Sequence, residues 1–259
     1  MSIANLFSKK KERSLLKIMK KVDRLLKGRN CIAFVDFEGT QFSHEMIAIG
    51  AVLCVLDKKG QIKSYKEPFK MYVRAKNKIG SYVTDLTQIT EDMLKKEGKS
   101  FYDALTAFKK YLGTKWKKCL FVTYGNHDLR ILNQSIAYNF QFPKDFCQQF
   151  QHNYADFAAF IGEFIRDDKG NPLSLIHNCE LFGVELMEPA HDPRSDAVNL
   201  ARLYDAFVKN VDVVKDQFKK AVIHTNHLPE PILRVVTKLN NGEAVSPEEY
   251  DLFVKDYLK

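Results

Sequence analysis

The chain has 259 residues, of which 45% are hydrophobic and 28% are charged, as is typical of a globular protein with a sizeable core. No apolar run approaches the ~18 residues of a membrane-spanning helix, and the N-terminus lacks the continuous apolar segment of a secretory signal. The five cysteines include no Cys-x-x-Cys pair, which indicates neither a zinc site nor a disulfide framework. A reducing, cytoplasmic setting is the simplest interpretation.

The net charge of +8 comes from the N-terminal end of the chain. Residues 1–30 contain ten Lys and Arg against two acidic residues, whereas the rest of the chain contains 30 of each. Apolar side chains recur there at helical spacing, which predicts a basic amphipathic helix that ends at Gly28. Three uses of this arm remain open: docking of its apolar stripe on the rest of the chain, a clamp on nucleic-acid backbone, or a membrane-surface or protein-binding helix.

The first predicted strand follows the arm and ends in acidic residues. The apolar run 31–35 indicates a buried strand, and Asp36 and Glu38 share one face of it because side chains two apart point the same way. Two carboxylates on one face repel each other and lose solvation, and a hard cation such as Mg²⁺ or Mn²⁺ removes both problems. By itself, Asp-x-Glu is also typical of a solvated strand end. Phe42, beside this strand, is a candidate wedge against unpaired bases.

Further strands are expected at residues 47–56 and 63–72, with a turn at 57–60 between them. Glu45 lies just before the second strand, where it could contact solvent or substrate, and it is expected to face solvent. Ser100 and Asp103 form a capping box, which predicts that a helix begins there and continues to Gly113.

A second acidic position follows another predicted strand, at residues 120–124. Gly125 turns the chain, and Asn126 is a good N-cap for a helix with Asp128 in its first turn. An acidic residue there also gains from the helix dipole, so a purely structural role for Asp128 is an open alternative.

The third segment opens a helix that is expected to run through Phe207. Asp192 and Pro193 fit the N-cap and the first helical position, because proline is tolerated there but not inside a helix. His191 then lies in the preceding loop and Asp196 in the first turns of the helix. A loop histidine can swing over a reaction centre while the helical aspartate holds a metal, although the two could also be a surface pair.

Helices are also expected near residues 154–165 and 173–182 and from residue 209 to the end of the chain, with breaks at Pro229, Pro231 and Gly242 and a capped start at Ser246. Three antiparallel strands followed by alternating strands and helices predict an α/β fold with a mixed central sheet flanked by helices. We therefore expect a basic arm at 1–29, a central domain at 30–209 and a helical extension at 210–259. The apolar side chains of the extension either pack on the central domain or contact a dimer mate or another protein.

Together, the acidic residues and the histidine resemble the DEDDh family of 3′→5′ exonucleases, which have a ribonuclease H-like fold. Relatives include ribonuclease T and the proofreading epsilon subunit of DNA polymerase III. The KapD-like branch looks most similar, because there Gly-Asn-x-Asp follows the second core strand as residues 125–128 do here. The resemblance covers roughly residues 30 to 208. The family pattern falls on Asp36, Glu38, Asp128, His191 and Asp196.

The resemblance implies that these four carboxylates hold two divalent cations, Mg²⁺ or Mn²⁺, and that His191 is the general base. It also implies that Gly39 and Thr40 contact the terminal sugar, although they could equally form a plain turn, and that Ile89 packs on the terminal base. The expected function is metal-dependent 3′→5′ exonuclease activity on single-stranded 3′ ends, which releases nucleoside 5′-monophosphates, with RNA slightly favoured. Alternatives are a DNA-trimming or proofreading enzyme, and a nucleic-acid-binding accessory protein in which catalysis is secondary.

Overall fold

The structure is a computed structural model that describes residues 18, 20–223 and 228–259. Most of the predicted basic arm, residues 1–17 and 19, therefore lies outside the described residues. Within the described ranges, no helix is both long enough and apolar enough to cross a lipid bilayer.

The described part of the chain forms two compact units. The first contains the described residues up to Ala158 together with Ser174–Lys209, and the second contains Ala159–Leu173 and Asn210–Lys259. Residues 159–173, which the sequence-based division assigns to the central domain, thus group with the C-terminal helices.

A mixed sheet lies at the centre of the first unit. Its strands among the described residues are β1 (Cys31–Gly39), β2 (Met46–Leu56), β3 (Ile62–Tyr65), β4 (Phe69–Tyr72), β5 (Leu120–Thr123) and β6 (Tyr154–Asp156). The order is β3-β2-β1-β5-β6, and β4 pairs with the other half of β2. β2 is antiparallel to β1, β3 and β4, whereas β5 is parallel to β1 and β6. The predicted α/β class with a mixed central sheet is confirmed.

Helices cover both faces of this sheet. Those of the first unit are α1 (20–26), α2 (Ser81–Thr87), α3 (Glu91–Glu97), α4 (Phe101–Leu112), α5 (His127–Tyr138), α6 (Lys144–His152), α8 (Leu175–Leu181) and α9 (Pro193–Lys209), and α7 (Phe157–Ile161) spans the boundary between the units. α9 packs across β2 and β1, while side chains of α4, α5 and α6 form the core on the opposite face. The sequence pattern predicts α4, α5, α8 and α9 correctly but not α2, α3 or α6.

Two predicted elements in the sheet are wrong in detail. The expected strand at 63–72 is two strands, β3 and β4, separated by residues 66–68. Pro68 lies in this gap, and proline has no N–H to donate to a strand ladder. The helix expected near 154–165 begins as strand β6, because residues 154–156 pair in parallel with β5.

The described end of the arm docks on the first unit. Ile18, Val22 and Leu26 are buried, and Val22 and Leu26 lie beside the turn at Gly60. The helix ends at residue 26, and Gly28 adopts a positive φ of 73°, as the C-terminal glycine of a helix commonly does. For these residues the docking interpretation agrees with the structure.

The second unit contains α10 (Val211–Ile223), α11 (Glu230–Asn240) and α12 (Pro247–Tyr257). As predicted, the Ser246 hydroxyl caps the last helix by accepting the N–H of Glu249 at 3.2 Å. Lys238 pairs with Glu249 at 2.5 Å and so joins α11 to α12. Leu252 and Tyr257 of α12 remain exposed.

Candidate active site

The end of β1 presents two carboxylates to the face of the sheet on which α9 packs. Val35 and Phe37 are buried in the core on the other face, so strand periodicity turns Asp36 and Glu38 toward α9. Both are partly buried.

A glycine in β2 allows the third carboxylate to approach them. Gly50 lies directly opposite Asp36 in the antiparallel register. A Cβ atom on Gly50 would lie 1.9 Å from the carbonyl carbon and oxygen of Pro193, so the first turn of α9 rests on bare strand backbone. As a result, one carboxylate oxygen from each of Asp36, Glu38 and Asp196 lies within 4.8 Å of the other two. Gly50 carries no sequence signal beyond being a glycine inside an apolar strand.

The start of α9 is capped as predicted. Oδ1 of Asp192 accepts the backbone N–H groups of Arg194 at 2.9 Å and Ser195 at 3.3 Å. Its other oxygen forms an ion pair with Lys70 of β4, a residue that no motif in the sequence points to. Burial would raise the pKa of Asp192, but the hydrogen bond and positive charge of Lys70, together with the N–H groups of Ser195 and Arg194, hold that pKa below its usual value.

His191 lies in the exposed loop immediately before α9. Its φ of +59° is a left-handed conformation that non-glycine residues seldom adopt. The backbone N–H of His191 donates to Oδ2 of Asp196 at 3.0 Å. This hydrogen bond links the main chain of His191 directly to the side-chain carboxylate of Asp196.

Asp128 lies in the first turn of α5, as predicted, and is 5% exposed. Its Oδ1 accepts the backbone N–H of Phe37 at 2.6 Å, which places it beside the β1 backbone between Asp36 and Glu38. Asn126 precedes the helix, but among the described residues its side chain makes no capping hydrogen bond.

The turn before α5 is held by three side chains instead. The N–H of Gly125, which has a φ of +98°, donates to Oδ1 of Asp156 at 3.0 Å. Its carbonyl accepts the hydroxyls of Thr123 at 2.6 Å and Tyr154 at 2.8 Å. Tyr154 and Asp156 belong to β6, where the sequence predicts a helix, so their contribution to placing Asp128 could not be anticipated.

The electrostatics of the four carboxylates are strongly unfavourable when all are ionised. Burial, followed by repulsion from Asp128 and Glu38, raises the pKa of Asp36 well above its usual value. Burial and the charge of Asp196 raise the pKa of Glu38 to about 8. Burial raises the pKa of Asp128 to about 7, although the N–H of Phe37 opposes the shift. Burial also raises the pKa of Asp196. A positive charge placed among these groups would relieve both burial and repulsion.

The donor set fits a divalent cation. Mg²⁺ takes oxygen ligands at about 2.1 Å, so opposite ligands lie about 4.2 Å apart. One oxygen from each of Asp36, Glu38 and Asp196 lies within 4.8 Å of the other two, so these three carboxylates are close enough to share one such ion. Asp128 is adjacent and supplies a fourth carboxylate.

The residues expected to bind the substrate differ in their exposure to solvent. The ring of Phe42 is 82% exposed, whereas Ile89 is 2% exposed and packs with Ile47 and other apolar side chains. Thr40 is also buried, and its hydroxyl accepts the N–H of Glu45 at 2.9 Å. Gly39 ends β1 at an irregularity in the register with β2.

The expectation that Glu45 faces solvent is wrong. The residue is 2% exposed, and its Oε2 accepts the backbone N–H groups of Lys76 and Asn77, each at 2.9 Å. The side-chain amide of Asn77 donates to the same oxygen at 2.9 Å. A carboxylate that receives three donors is stable away from water, and Glu45 thereby fixes the loop after β1.

Comparison with known proteins gives a family match over most of the chain and a likeness to solved structures. The sequence profile of the ribonuclease T exonuclease family matches residues 33–204, well over half of the chain. No curated protein sequence matches the chain. The nuclease domain of 3′hExo, a DEDDh family member bound to rAMP, has a similar structure, with 20% identity and a TM-score of 0.57 over 71% of this chain and 94% of that one.

Two further solved structures have the same fold. Cell-death related nuclease 4 is 21% identical, with a TM-score of 0.55 over 70% of this chain and 64% of its own. Exonuclease I of E. coli, in complex with a dA16 oligonucleotide, is 16% identical, with a TM-score of 0.52 over 80% of this chain and 46% of its own. This chain thus spans less than two thirds of either protein. The likeness confirms the predicted ribonuclease H-like fold.

Proposed function

The chain belongs to the ribonuclease T exonuclease family, of the DEDDh type, and we propose that it is a metal-dependent 3′→5′ exonuclease acting on single-stranded 3′ ends, with RNA slightly favoured. The observation that carries this proposal is the meeting of Asp36, Glu38 and Asp196 within 4.8 Å, although they come from distant parts of the chain. We also retain the KapD-like branch as a prediction.

Asp36, Glu38, Asp128 and Asp196 would hold two divalent cations, Mg²⁺ or Mn²⁺. Such cations supply Lewis-acid stabilisation of the charge on the scissile phosphate and help to ionise the attacking water. The protein contributes position and charge, which is most of what phosphoryl chemistry requires. The raised pKa values of Glu38 and Asp128 support a site that becomes fully ionised when positive charge is present.

His191 would act as the general base. An imidazole nitrogen can accept a proton from water, and the exposed loop that carries His191 is hydrogen-bonded to Asp196. A ring nitrogen of His191 would accept a proton from water as the water oxygen bonds to phosphorus. The bond from phosphorus to the 3′ oxygen breaks, and that oxygen takes up a proton. The products are a nucleoside 5′-monophosphate and a strand with a new 3′-hydroxyl.

Gly39, Thr40, Phe42 and Ile89 are proposed to form the pocket for the terminal nucleotide. Phe42 supplies an exposed ring for stacking on an unpaired base. Thr40 and Ile89 are buried, so they would support the pocket from beneath through the turn after β1 and the small apolar cluster. Gly39 would contribute its main chain.

The RNA preference is supported by the rAMP bound to 3′hExo. The dA16 oligonucleotide bound to E. coli exonuclease I favours the alternative, a DNA-trimming enzyme. We retain the organisation into an arm at 1–29, an exonuclease domain at 30–209 and a C-terminal extension at 210–259, with a protein partner or dimer contact through the extensions. All five cysteines are buried and free, which supports a reducing, cytoplasmic compartment.

Matched RNA and DNA oligomers labelled at either end test this proposal. With Mg²⁺ or Mn²⁺, a 3′ label should leave as mononucleotide in the first turnover, and a 5′ label should remain on a ladder of shortening strands. EDTA should abolish both. Faster cleavage of RNA supports the preferred substrate, and faster cleavage of DNA supports the alternative. Binding without any release of nucleotide would favour an accessory role.

Substitutions assign the activity to the site. His191→Ala and Asp196→Asn should each remove most turnover while the fold survives, as judged by circular dichroism. His177→Ala is the matched control, because His177 is an exposed histidine on α8 that hydrogen-bonds to Ser174 and is outside the cluster. Near wild-type rates for either active-site variant with cations present would refute the assignment.

A further inference from the structure

Three paired residues lie side by side across the sheet next to the start of α9. Gly50 of β2 is opposite Asp36 of β1 on one side and opposite Lys70 of β4 on the other. Directly paired residues in antiparallel strands point to the same face. Lys70 therefore faces the same helix start as the catalytic carboxylate Asp36, with Gly50 leaving space between them.

Lys70 uses this position to hold Asp192. Its ammonium group is both hydrogen-bonded and ion-paired to Oδ2 of Asp192. The side chains are 24% and 12% exposed, so the pair is partly desolvated rather than a surface contact. Partial desolvation makes the attraction stronger than that of exposed ion pairs, which contribute little.

Hydrogen bonds connect Asp192 in turn to Asp196 and His191. Its Oδ1 caps the helix by accepting the N–H of Arg194 at 2.9 Å. Its carbonyl accepts the N–H of Asp196 at 2.9 Å. Asp196 in turn accepts the N–H of His191 at 3.0 Å. The chain of contacts thus runs from a sheet strand through Asp192 to Asp196 and His191.

The backbone of His191 needs such support. A histidine with a φ of +59° is in a conformation that persists only when its surroundings hold it. His191 and the three residues before it, 188–190, are exposed, so this loop receives little packing. The N–H of His191 is hydrogen-bonded to Asp196. The next residue, Asp192, is itself held by Lys70 and by the N–H of Arg194. These contacts support the conformation of His191.

We propose that Lys70 is a positioning residue for the reaction and that, through Asp192, it sets the placement of His191 and Asp196. This inference rests on the proposed exonuclease function. Lys70 belongs to none of the three acidic segments that identify the family, and no spacing in the sequence connects it to residue 192.

Lys70→Met tests the proposal, because methionine keeps most of the side-chain volume and loses the charge. We expect kcat to fall about 10-fold to 100-fold, as for small misplacements of catalytic groups, while KM changes little. Lys66→Met is the matched control. Lys70 lies 4.9 Å from the ring of Tyr72, and Lys66 likewise lies 4.7 Å from the ring of Tyr111. Lys66, however, donates to the carbonyl of Tyr111, whose side chain packs on the core on the face of the sheet opposite α9. Its kcat should remain at the wild-type value.

A double-mutant cycle separates positioning from general loss of structure. Asp192→Asn keeps a good N-cap and removes the charge. If the two residues act as a pair, Asp192→Asn should be about as slow as Lys70→Met, and the double variant should be no slower than either. Lys70→Arg retains the charge and should recover most of the rate. Additive losses, or a Lys70→Arg variant as slow as Lys70→Met, would overturn the proposal.

Amide hydrogen exchange followed by mass spectrometry gives a readout that does not depend on catalysis. Lys70→Met should increase exchange in peptides that cover residues 188–196, whereas Lys66→Met should not. Unchanged exchange together with an unchanged kcat would eliminate the positioning role while leaving the exonuclease proposal intact. An inactive wild-type protein would instead refute the exonuclease proposal, and the exchange measurement would still report whether Lys70 holds the segment.

Discussion

Replacement of Gly50 by alanine is the sharpest test of how the site is assembled. The added Cβ would lie 1.9 Å from the carbonyl carbon and oxygen of Pro193 and 2.5 Å from the nitrogen of Arg194. An ordinary contact between carbon atoms is about 3.5 Å, so the shortfall is about 1.6 Å. The obstructing atoms are helix backbone, which cannot rotate away as a side chain can. The first turn of α9 must therefore move off β2 and carry Asp196 with it.

Both stability and rate should respond. Overpacking of this kind costs about 1–3 kcal/mol, and displacement of a catalytic group by about 1 Å can cost about 10²-fold in rate. We expect Gly50→Ala to unfold at a lower temperature, to lose about 100-fold in kcat and to bind Mn²⁺ more weakly by calorimetry, because one of the proposed ligands, the carboxylate of Asp196, would have moved.

Leu53→Ala is the matched control. Leu53 is buried in the same strand, but its side chain lies in the core on the opposite face of the sheet. Its truncation should cost about 2–5 kcal/mol without moving α9, so the protein should melt early yet retain its kcat while folded. A Gly50→Ala variant with wild-type kcat and cation affinity would show that the close approach of α9 does not set the position of Asp196.

Three further predictions follow from other contacts. The pKa values of Glu38 and Asp128 rise to about 8 and about 7 in the folded protein, so between about pH 4 and pH 8 the folded state binds more protons than the unfolded chain. Thermal unfolding in EDTA should therefore show that the stability of the folded protein falls as pH rises through this window. Mg²⁺ should restore more stability at pH 8 than at pH 5. A stability that does not depend on pH, or an unchanged pH dependence in Glu38→Gln, would contradict the raised pKa values. Deletion of residues 1–28 removes Val22 and Leu26, which are fully or almost fully buried, and should cost about 3 kcal/mol or more of unfolding free energy. The nucleic-acid clamp would be favoured instead if the melting temperature did not change and the affinity for single-stranded nucleic acid became less dependent on salt. The slope of log affinity against log salt should then be smaller by about 0.7 for each lost phosphate contact. Tyr154→Phe removes the hydroxyl that donates to the carbonyl of Gly125. It should lower the free energy of unfolding by about 1 kcal/mol and lower kcat, because the turn before Asp128 is held less firmly. Tyr65→Phe, at an exposed tyrosine, should change neither quantity.

The local chemistry of the sequence determined much of the site. The alternation along β1 is enough to place Asp36 and Glu38 on one face, because strand geometry depends only on neighbouring residues. The preference of aspartate for an N-cap and of proline for the first turn likewise predicts where α9 begins. The five family residues lie at the boundaries of elements that their own segments specify, and the resemblance to the family singled them out.

The tertiary structure alone decided how these segments meet. Gly50 and Pro193, or Lys70 and Asp192, are more than 100 residues apart, and their contacts depend on the packing of α9 across β2. Glu45 is a second example. A glutamate is usually exposed to solvent, yet N–H donors from residues 76 and 77, about 30 positions along the chain, make its burial stable. Local propensity reflects the energy of a residue among its chain neighbours, whereas these contacts gain their energy from atoms that only folding brings together.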